Sequence, residues 1–312
     1  MKPTPSQQAA GQKIFCQLCG QNIIGQGESF HHPKWARELN LRICSECFQN
    51  KPRCRVCNLP MAAAPANGVC ATCSQYNQFC QACGKPIKRN YVEVEGVGRY
   101  CEKCYRQRTP CDVCGAPLTD QHWKLSDGRV SCAFCHATAI YAPAEGAVLY
   151  DEMKTSVAEL FGLSLNVPTG LALVDRNQLA EVISQQQKNM SDDAHNNILD
   201  PNMTLGLYAR RGMRRGIYVQ TGLPRMLFLQ VAAHEFAHAW QGENCPLLRE
   251  LLVHEGFAEW VAYRVLGRYG YTHGQARMKA RQDIYGQGLR WALEIETKQG
   301  PAGLLEACRQ VK

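Results

Sequence analysis

The stretch His234-Glu235-Phe236-Ala237-His238 governs the interpretation of the C-terminal half of this chain. It lies in an apolar run from Leu227 to Trp240 whose pattern predicts a helix. Residues four apart share one face of a helix, so both imidazoles can reach one metal ion. The glutamate between them can then accept a proton from water that this metal activates. Histidine and glutamate at this spacing predict zinc-dependent hydrolysis, usually of a peptide bond.

A hydrolytic zinc site of this kind needs a third protein ligand, often a glutamate on a following helix. The next predicted helix, about residues 247–266, offers Glu250, Glu255 and Glu259. Glu259 lies one helical turn after Glu255 and is the second candidate for this ligand. Its alternative role is to support a metal-binding histidine from behind. The same His and Glu side chains buried without a metal would be costly, which favours a metal site.

The residues around Glu255 resemble a known pattern. Glu255-Gly256-Phe257-Ala258 after HExxH resembles the gluzincin pattern of aminopeptidase N type enzymes, whose third zinc ligand is the glutamate before that glycine. The resemblance implies that Glu255 is the third ligand. Sixteen residues separate it from His238, a slightly shorter gap than in those aminopeptidases, so the connecting loop is expected to differ.

A second resemblance covers most of the chain. Gly222-Leu223-Pro224-Arg225, the run from Ala233 to Trp240, and Glu255-Gly256 are together similar to the DA-one family of LIM-domain peptidases. That family also places LIM-type zinc modules ahead of an HExxH domain, so the resemblance implies a zinc peptidase with a zinc-binding recognition region. Six residues rather than two separate consecutive modules here, and we therefore call them LIM-like. The family's ubiquitin link is not carried over, because no ubiquitin-interacting helix is recognisable.

Cysteine is concentrated in the N-terminal half. Of 18 cysteines, sixteen lie between Cys16 and Cys135, and only Cys245 and Cys308 follow, which we interpret as core thiols. The sixteen form eight CxxC pairs, namely Cys16/Cys19, Cys44/Cys47, Cys54/Cys57, Cys70/Cys73, Cys80/Cys83, Cys101/Cys104, Cys111/Cys114 and Cys132/Cys135. One pair presents two thiolates to a metal, and two pairs complete a tetrahedral zinc site. The sequence thus predicts about four structural zinc ions and one catalytic zinc ion.

The spacing of the pairs suggests how they combine. Long intervals alternate with a constant interval of six residues, and joining pairs across each long interval gives four sequential LIM-like modules. A cross-braced arrangement, in which the first pair joins the third and the second joins the fourth, is the alternative. Glycine after a pair suits the turn that directs backbone N–H groups at sulfur. Modules this small depend on zinc, because apolar burial alone is too limited.

The formal net charge of +8 does not indicate a nucleic-acid partner. A zinc ion with four thiolates carries about −2, so four such sites contribute about −8 in total. A fifth zinc ion contributes about +2, and the net charge therefore falls to about +2. Without a dense basic stripe, this balance favours a protein or peptide substrate, and protein partners for the LIM-like modules, over DNA or RNA.

The compartment and membrane predictions rest on absent patterns. The first 13 residues are polar, which is unlike a signal peptide, and no apolar run reaches about 18 residues, so no membrane span is expected. Sixteen paired thiols are typical of a reducing compartment, and the sequence therefore predicts a cytoplasmic protein.

The predicted architecture is multidomain, with tandem zinc-ribbon or LIM-like modules before an α+β gluzincin-like metallopeptidase domain. We assign residues 14–75 to the first two modules, 78–137 to the next two, and 145–312 to the HExxH domain, with a linker near 141–146. In the last domain we predict strands at about 169–175, 205–209 and 216–221, and helices at about 147–161, 178–188, 227–240, 247–266 and 274–298.

Two roles remain open in the sequence. Hydrolysis needs a group that stabilises the oxyanion, and the candidates are Tyr263, Tyr269, Tyr271, His273 and Tyr285. The strand near 216–221 either pairs with an extended substrate at its edge or is an ordinary internal strand.

Two functions compete. The first is a zinc endopeptidase, with Glu235 as the base, whose modules recruit substrates or restrain the site. The second is a zinc-ribbon adaptor for proteins or nucleic acids, with a non-catalytic HExxH scaffold.

Overall fold

The computed structural model describes residues 15–23, 27–32, 36–55, 57–66, 68–76, 79–85, 87, 90–189, 204–211 and 214–310. The chain divides into two units by its internal contacts. The first comprises residues up to 94 and 98–108, and the second comprises 95–97 and 109–312. The first and second cysteine modules (residues 16–47 and 54–73) belong to the first unit, as does the third (residues 80–104) apart from residues 95–97. The fourth module (residues 111–135) belongs to the second unit, as does the HExxH stretch.

The first unit contains short hairpins and single-turn helices. Its described elements are β1 (Gly27–His32), β2 (Ala36–Cys44), α1 (Ser45–Asn50), α2 (Ala71–Tyr76), β3 (Tyr91–Val94), β4 (Gly98–Cys101) and α3 (Glu102–Gln107). β1 pairs antiparallel with β2, and β3 pairs antiparallel with β4. Small clusters of buried cysteine and aliphatic side chains are the cores of the first two modules, in line with their dependence on metal.

One turn geometry recurs in all four modules. The residue after the first CxxC pair has a positive φ in each, at Gly20 (74°), Asn58 (58°), Gly84 (66°) and Gly115 (72°). Each of these residues donates its backbone N–H to the carbonyl of the first cysteine of the pair, at 2.8–2.9 Å. Glycine adopts this left-handed conformation without a Cβ clash, and asparagine tolerates it. The glycine pattern of the sequence thus has a backbone cause.

The second unit combines the fourth module with a sheet and a group of helices. Its elements are β5 (His122–Lys124), β6 (Val130–Cys132), α4 (Ala133–Ala137), β7 (Ala139–Ile140), α5 (Pro143–Phe161), β8 (Gly170–Val174), α6 (Arg176–Asn189), β9 (Gly206–Arg211), β10 (Arg214–Gln220), β11 (Leu223–Pro224), α7 (Arg225–Asn244), α8 (Leu251–Arg268), α9 (Thr272–Ala280) and α10 (Ile284–Gln310). The predicted strands and the HExxH helix are confirmed within a few residues. No helix among the described residues is both long and apolar enough to cross a membrane.

The sheet of the second unit has the strand order β8–β10–β9. β8 runs parallel to β10, and β9 runs antiparallel to it. β10 therefore has a partner on each side. This strand is therefore an ordinary internal strand and not an edge that pairs with a substrate.

The helix α7 is the central element of the helical layer. Twelve of its residues are buried, so it is covered on most sides and not only along one stripe. Its main partners are α8 and, through α8, α10, which share one continuous core with it. The largest fully buried side chains of that core include Phe228 and Phe236 of α7 and Phe257 and Trp260 of α8.

Two glycines allow α8 and α10 to approach at backbone distance. A Cβ on Gly256 would lie 2.6 Å from the carbonyl oxygen of Gly288, and one on Gly288 would lie 2.6 Å from the Cα of Gly256. Only residues without a side chain fit such a crossing. Because Gly256 follows Glu255 directly, this crossing determines where the candidate third ligand and the start of α10 lie.

Two sequence predictions about helices are wrong. The region predicted as one helix over 274–298 is two, because Arg281 is extended (φ −60°, ψ 139°) and a new helix begins at Ile284, directly after Asp283. Its carboxylate accepts the backbone N–H of Gly286 at 3.1 Å, as an N-cap does. The stretch predicted as a linker near 141–146 instead includes the first turn of α5, which begins at Pro143.

The sequence groups the fourth cysteine module with the third, whereas the contacts group it with the HExxH region. The assignment of residues 14–75, 78–137 and 145–312 as independently folding domains stays a prediction.

Candidate metal centres

Each cysteine module gathers its four thiols at one point. Within each of four groups the sulfur atoms lie within 4.8 Å of one another, and the groups are Cys16/Cys19/Cys44/Cys47, Cys54/Cys57/Cys70/Cys73, Cys80/Cys83/Cys101/Cys104 and Cys111/Cys114/Cys132/Cys135. This is the sequential arrangement, and the cross-braced alternative is not found.

The distances between sulfur atoms fit a tetrahedral zinc site. Zn–S bonds of about 2.3 Å place two thiolates of such a site about 3.8 Å apart. The Sγ atoms of Cys19 and Cys44 are 3.7 Å apart, and those of Cys114 and Cys132 are also 3.7 Å apart. Backbone N–H groups also point at sulfur, as Cys132 does at Cys111 Sγ (3.3 Å), which stabilises a thiolate. The four groups can therefore hold zinc-like ions.

A fifth group combines α7 and α8. His234 and His238 lie one turn apart on α7, and their Nε2 atoms are 2.9 Å apart. Oε2 of Glu255 on α8 lies 3.3 Å from Nε2 of His234 and 3.6 Å from Nε2 of His238. The sequence stretch and the candidate glutamate thus converge on one point, although a loop separates their helices.

The three donor atoms fit a zinc ion. Zn–N and Zn–O bonds of about 2.0–2.1 Å place neighbouring ligands of a tetrahedral site about 3.3 Å apart, and the three observed distances lie around this value. Oε2 of Glu255 is buried and receives no hydrogen bond of good geometry from the described residues. A buried carboxylate oxygen in that position is costly unless it binds a cation. The group suits a metal ion better than a purely polar cluster.

The other imidazole nitrogens lie close to polar side chains, and of the two only Nδ1 of His238 makes a hydrogen bond of good geometry. Nδ1 of His234 lies 3.2 Å from Oε1 of Glu259, and Nδ1 of His238 lies 2.9 Å from Oε1 of Gln241. Such partners orient an imidazole and increase its basicity. Glu259 therefore lies behind His234 and outside the ligand group, which is its alternative role in the sequence. Glu250 is exposed just before α8 begins and lies outside the group as well.

Glu235 is buried beside this group. Its Oε2 accepts the backbone N–H of Tyr208 in β9 at 2.8 Å, which holds the carboxylate between the sheet and α7. Burial raises the pKa of Glu235 above its ordinary value, while the nearby imidazoles oppose that rise. A carboxylate with a raised pKa is better matched to accepting and returning a proton near neutral pH.

The charges of the group depend on one another. Burial by itself would lower the pKa of His234, but Glu255 and Glu259 raise it well above its ordinary value. Burial by itself would raise the pKa of Glu255, but the adjacent His238 and His234 hold it well below its ordinary value. With Glu235, three carboxylates thus surround two imidazoles. The guanidinium of Arg281, 3.8 Å from Oε1 of Glu259, adds a positive charge to this group.

The structure distinguishes among the oxyanion candidates. The ring centroid of Tyr285, at the start of α10, lies 6.0 Å from that of His234. Burial, with Glu255 as the next cause, raises the pKa of Tyr285 to about 12, so its hydroxyl remains a donor at neutral pH. Tyr263, Tyr269 and Tyr271 pack against the hydrophobic core.

Sequence reasoning missed the role of Gln241. It lies three residues after His238 on the same helix, and that spacing places it on the same face. The spacing was therefore visible in the sequence, but it did not single out Gln241, because glutamine is common on helices for many reasons. Cys245 and Cys308 are buried free thiols in the core, as predicted.

Comparison with known proteins identifies no relative. No protein family matches the chain, and neither the curated proteins nor the solved structures include a similar one.

Proposed function

We propose that this chain is a zinc-dependent peptidase, of gluzincin type and similar to the DA-one family, that hydrolyses peptide bonds in protein substrates. One observation carries the proposal: His234 Nε2, His238 Nε2 and Glu255 Oε2 converge at spacings that suit zinc, beside the buried carboxylate of Glu235. A binding-only metal site has no need of that fourth group.

The roles of the side chains follow from their positions. When bound, a zinc ion supplies a Lewis acid that makes water a nucleophile near neutral pH. Glu235 takes the proton of the attacking water and delivers it to the leaving amine, for which its raised pKa is suited. Tyr285 donates a hydrogen bond to the developing oxyanion, since its pKa of about 12 keeps the phenol protonated.

The strand β9 supports an extended peptide as the substrate. The carbonyl of Leu205 accepts the backbone N–H of Gln220. Because hydrogen-bonded positions alternate along an antiparallel pair, the β9–β10 register makes Leu207 and Ala209 the next residues that bond to β10. The N–H and C=O groups of Gly206, Tyr208 and Arg210 then face away from β10. Among the described residues β9 pairs with β10 alone. Glu235 and Gln186 already bond to the N–H and C=O of Tyr208, so Gly206 and Arg210 are the edge positions at which a peptide strand can add.

The LIM-like modules complete the proposal. Four compact metal modules offer surface for recognising a protein substrate or partner, or for restraining the site. Sixteen cysteines must stay reduced to bind metal, and we therefore propose a cytoplasmic location. The alternative, an adaptor whose HExxH region is only a scaffold, uses the same four cysteine groups.

Metal content and hydrolysis measured on the same samples separate these possibilities. We expect about five zinc ions per wild-type chain, and about four after His234→Ala. Glu235→Gln should keep all five and lose about 10²–10⁴ of the rate on an unfolded protein such as casein, because the base is gone. Glu250→Gln, which changes an exposed glutamate outside the site, is the matched control and should keep the rate.

The outcomes differ in meaning. A Glu235→Gln protein as active as wild type would overturn the assigned mechanism. A wild-type protein with five zinc ions that cleaves neither casein nor itself would favour the adaptor. Strong binding to DNA or RNA that weakens steeply with salt would favour its nucleic-acid form.

A further inference from the structure

Gln241 lies in the core directly behind the candidate metal site. Gln241 is only 1% exposed, and it lies on α7 one turn after His238. Its Oε1 lies 2.9 Å from Nδ1 of His238, and its Nε2 donates to the backbone carbonyl of His254 on α8 at 2.9 Å. Both ends of the amide are therefore occupied, one by each of the two helices that carry the metal-site residues.

The carbonyl of His254 fixes the direction of this amide. A carbonyl oxygen can only accept a hydrogen bond, so the NH₂ end of Gln241 must face His254. The amide oxygen must then face Nδ1 of His238, and an oxygen can only accept. Nδ1 of His238 therefore carries a proton. In the neutral imidazole, Nε2 is left with a lone pair, directed at the point where Nε2 of His234 and Oε2 of Glu255 meet.

The same amide links the two halves of the site. His254 immediately precedes Glu255, so its carbonyl belongs to the turn of α8 that presents the candidate third ligand. We propose that Gln241 is a positioning residue for metal binding: it holds His238 in the tautomer that can bind metal and keeps that histidine in register with the Glu255 turn. This inference rests on the metal site of the proposed function, but it concerns affinity and not hydrolysis.

The matched test compares two amide bridges to α8, one from the buried Gln241 and one from the half-buried Gln275. Gln241→Met keeps the length of the side chain and removes the amide. Gln275 on α9 also donates its Nε2 to an α8 carbonyl, that of Tyr263 at 2.9 Å, but has no contact with a metal-site histidine in the described structure. Gln275→Met is therefore the control for the loss of such a bridge.

The measurement is the zinc affinity of the fifth site, determined in the full chain by competition with a chromophoric chelator. We expect Gln241→Met to weaken this affinity about 10–100-fold, as loss of a partner behind a metal-binding histidine does. Gln275→Met should leave it within about threefold of wild type, because no ligand loses a partner. The absorption spectrum of the Co²⁺-substituted site should change with Gln241→Met alone.

A second substitution tests the hydrogen bond itself. Gln241→Glu keeps an acceptor for Nδ1 of His238 but loses the donor to the carbonyl of His254, so it should bind zinc less tightly than wild type and more tightly than Gln241→Met. This rescue distinguishes positioning from packing, and it remains informative if Gln241→Met fails to fold. Far-ultraviolet circular dichroism of the zinc-loaded proteins reports the folding of each variant.

The results separate this inference from the proposed function. If wild type holds five zinc ions and a folded Gln241→Met protein keeps wild-type affinity, the role of Gln241 is overturned while the metal site stands. The same holds if Gln241→Glu folds and loses as much affinity as Gln241→Met. If wild type holds four zinc ions and His238→Ala does not change that number, the metal site fails and the inference fails with it.

Discussion

The third and fourth cysteine modules share a local structure and differ in what surrounds them. In each, a hairpin is followed by a one-turn helix, β3–β4–α3 in the third and β5–β6–α4 in the fourth. Cys101 and Cys132 cap those helices with nearly the same backbone angles, and Gly84 and Gly115 make the same left-handed turn. By itself, the repeat would suggest two equivalent modules.

Their ion pairs show the difference. In the third module Arg99 pairs with Glu93 on the hairpin surface, where the two side chains are 40% and 53% exposed. In the fourth, Arg129 pairs with Asp127, and the side chains are 2% and 1% exposed. One pair is solvated, and the other is part of a core.

The buried pair ties the fourth module to the sheet. Arg129 donates to Oε1 of Gln220 at 2.8 Å and to the carbonyl of Thr221 at 2.7 Å, at the end of β10. Asp127 accepts the backbone N–H of Arg176, where α6 begins, at 2.9 Å.

The chain after the fourth module continues this connection. β7 pairs with β11, and Thr138 accepts the backbone N–H of Arg225, the first residue of α7. The fourth module therefore supports the start of the helix that carries His234 and His238. A repeated metal motif can thus carry a solvated ion pair in one copy and a pair buried in a neighbouring core in another.

The largest expected effect comes from removing a cysteine ligand in each module. Cys111→Ser should lower the thermal stability of the second unit and reduce zinc at the His234 group, because the support for α7 weakens. Cys80→Ser, the matched change, should lose about one zinc ion and leave the His234 group filled. Zinc content with amide hydrogen exchange in α7 measures both. Loss of one ion and unchanged α7 protection in Cys111→Ser would remove the distinction between the modules.

The next effect concerns the ion pairs. Arg129→Met should cost about 3–5 kcal/mol of unfolding free energy, since Asp127 would remain buried without its partner. Arg99→Met, at the exposed pair, should cost about 0–1 kcal/mol. Chemical denaturation of the two variants compares them directly, and equal costs would contradict the contrast between a solvated and a buried pair.

The buried pair also predicts a pH dependence. Burial would raise the pKa of Asp127, but the N–H of Arg176 and the nearby Arg129 hold it below its ordinary 3.8. A lowered pKa contributes stability that is present above the ordinary value and is lost as pH falls through the folded-state pKa. In Arg129→Met the pKa of Asp127 rises, so the stability that wild type loses as pH falls below about 3.8 should be smaller in the variant, which denaturation curves at decreasing pH measure.

The smallest effect compares two glycines with positive φ. Gly222 (φ 77°) lies before α7, and a Cβ there would lie 3.1 Å from both Leu125 Cδ1 and Tyr141 Cε1, whereas one on Gly128 (φ 87°) would meet nothing within 4 Å. Gly128→Ala should cost about 1–2 kcal/mol from its backbone alone. Gly222→Ala should cost about 1 kcal/mol more, because neighbours must move. Equal thermal shifts would mean that the contact around Gly222 yields easily.

Short-range patterns let the sequence determine much of this protein. A CxxC pair and the glycine after it specify a turn, and histidines at i and i+4 share a helix face, because both depend only on the local backbone. The eight pairs, the helix around His234, and the strands before it were therefore predictable. The break in the helix predicted over 274–298 was not, since the capping role of Asp283 competes with a periodic pattern that continues past it.

Only the tertiary structure decided which distant groups meet. The choice of Glu255 over Glu259 at the ligand position depends on how α8 crosses α7 and α10, and the Gly256–Gly288 contact sets that crossing. Gln241 has a role only because the carbonyl of His254 lies opposite it. Arg129 is, in sequence, one more arginine in a polar turn, and its burial among residues some ninety positions away makes the fourth module part of the second unit. Such outcomes follow from the packing of whole elements, which no local spacing encodes.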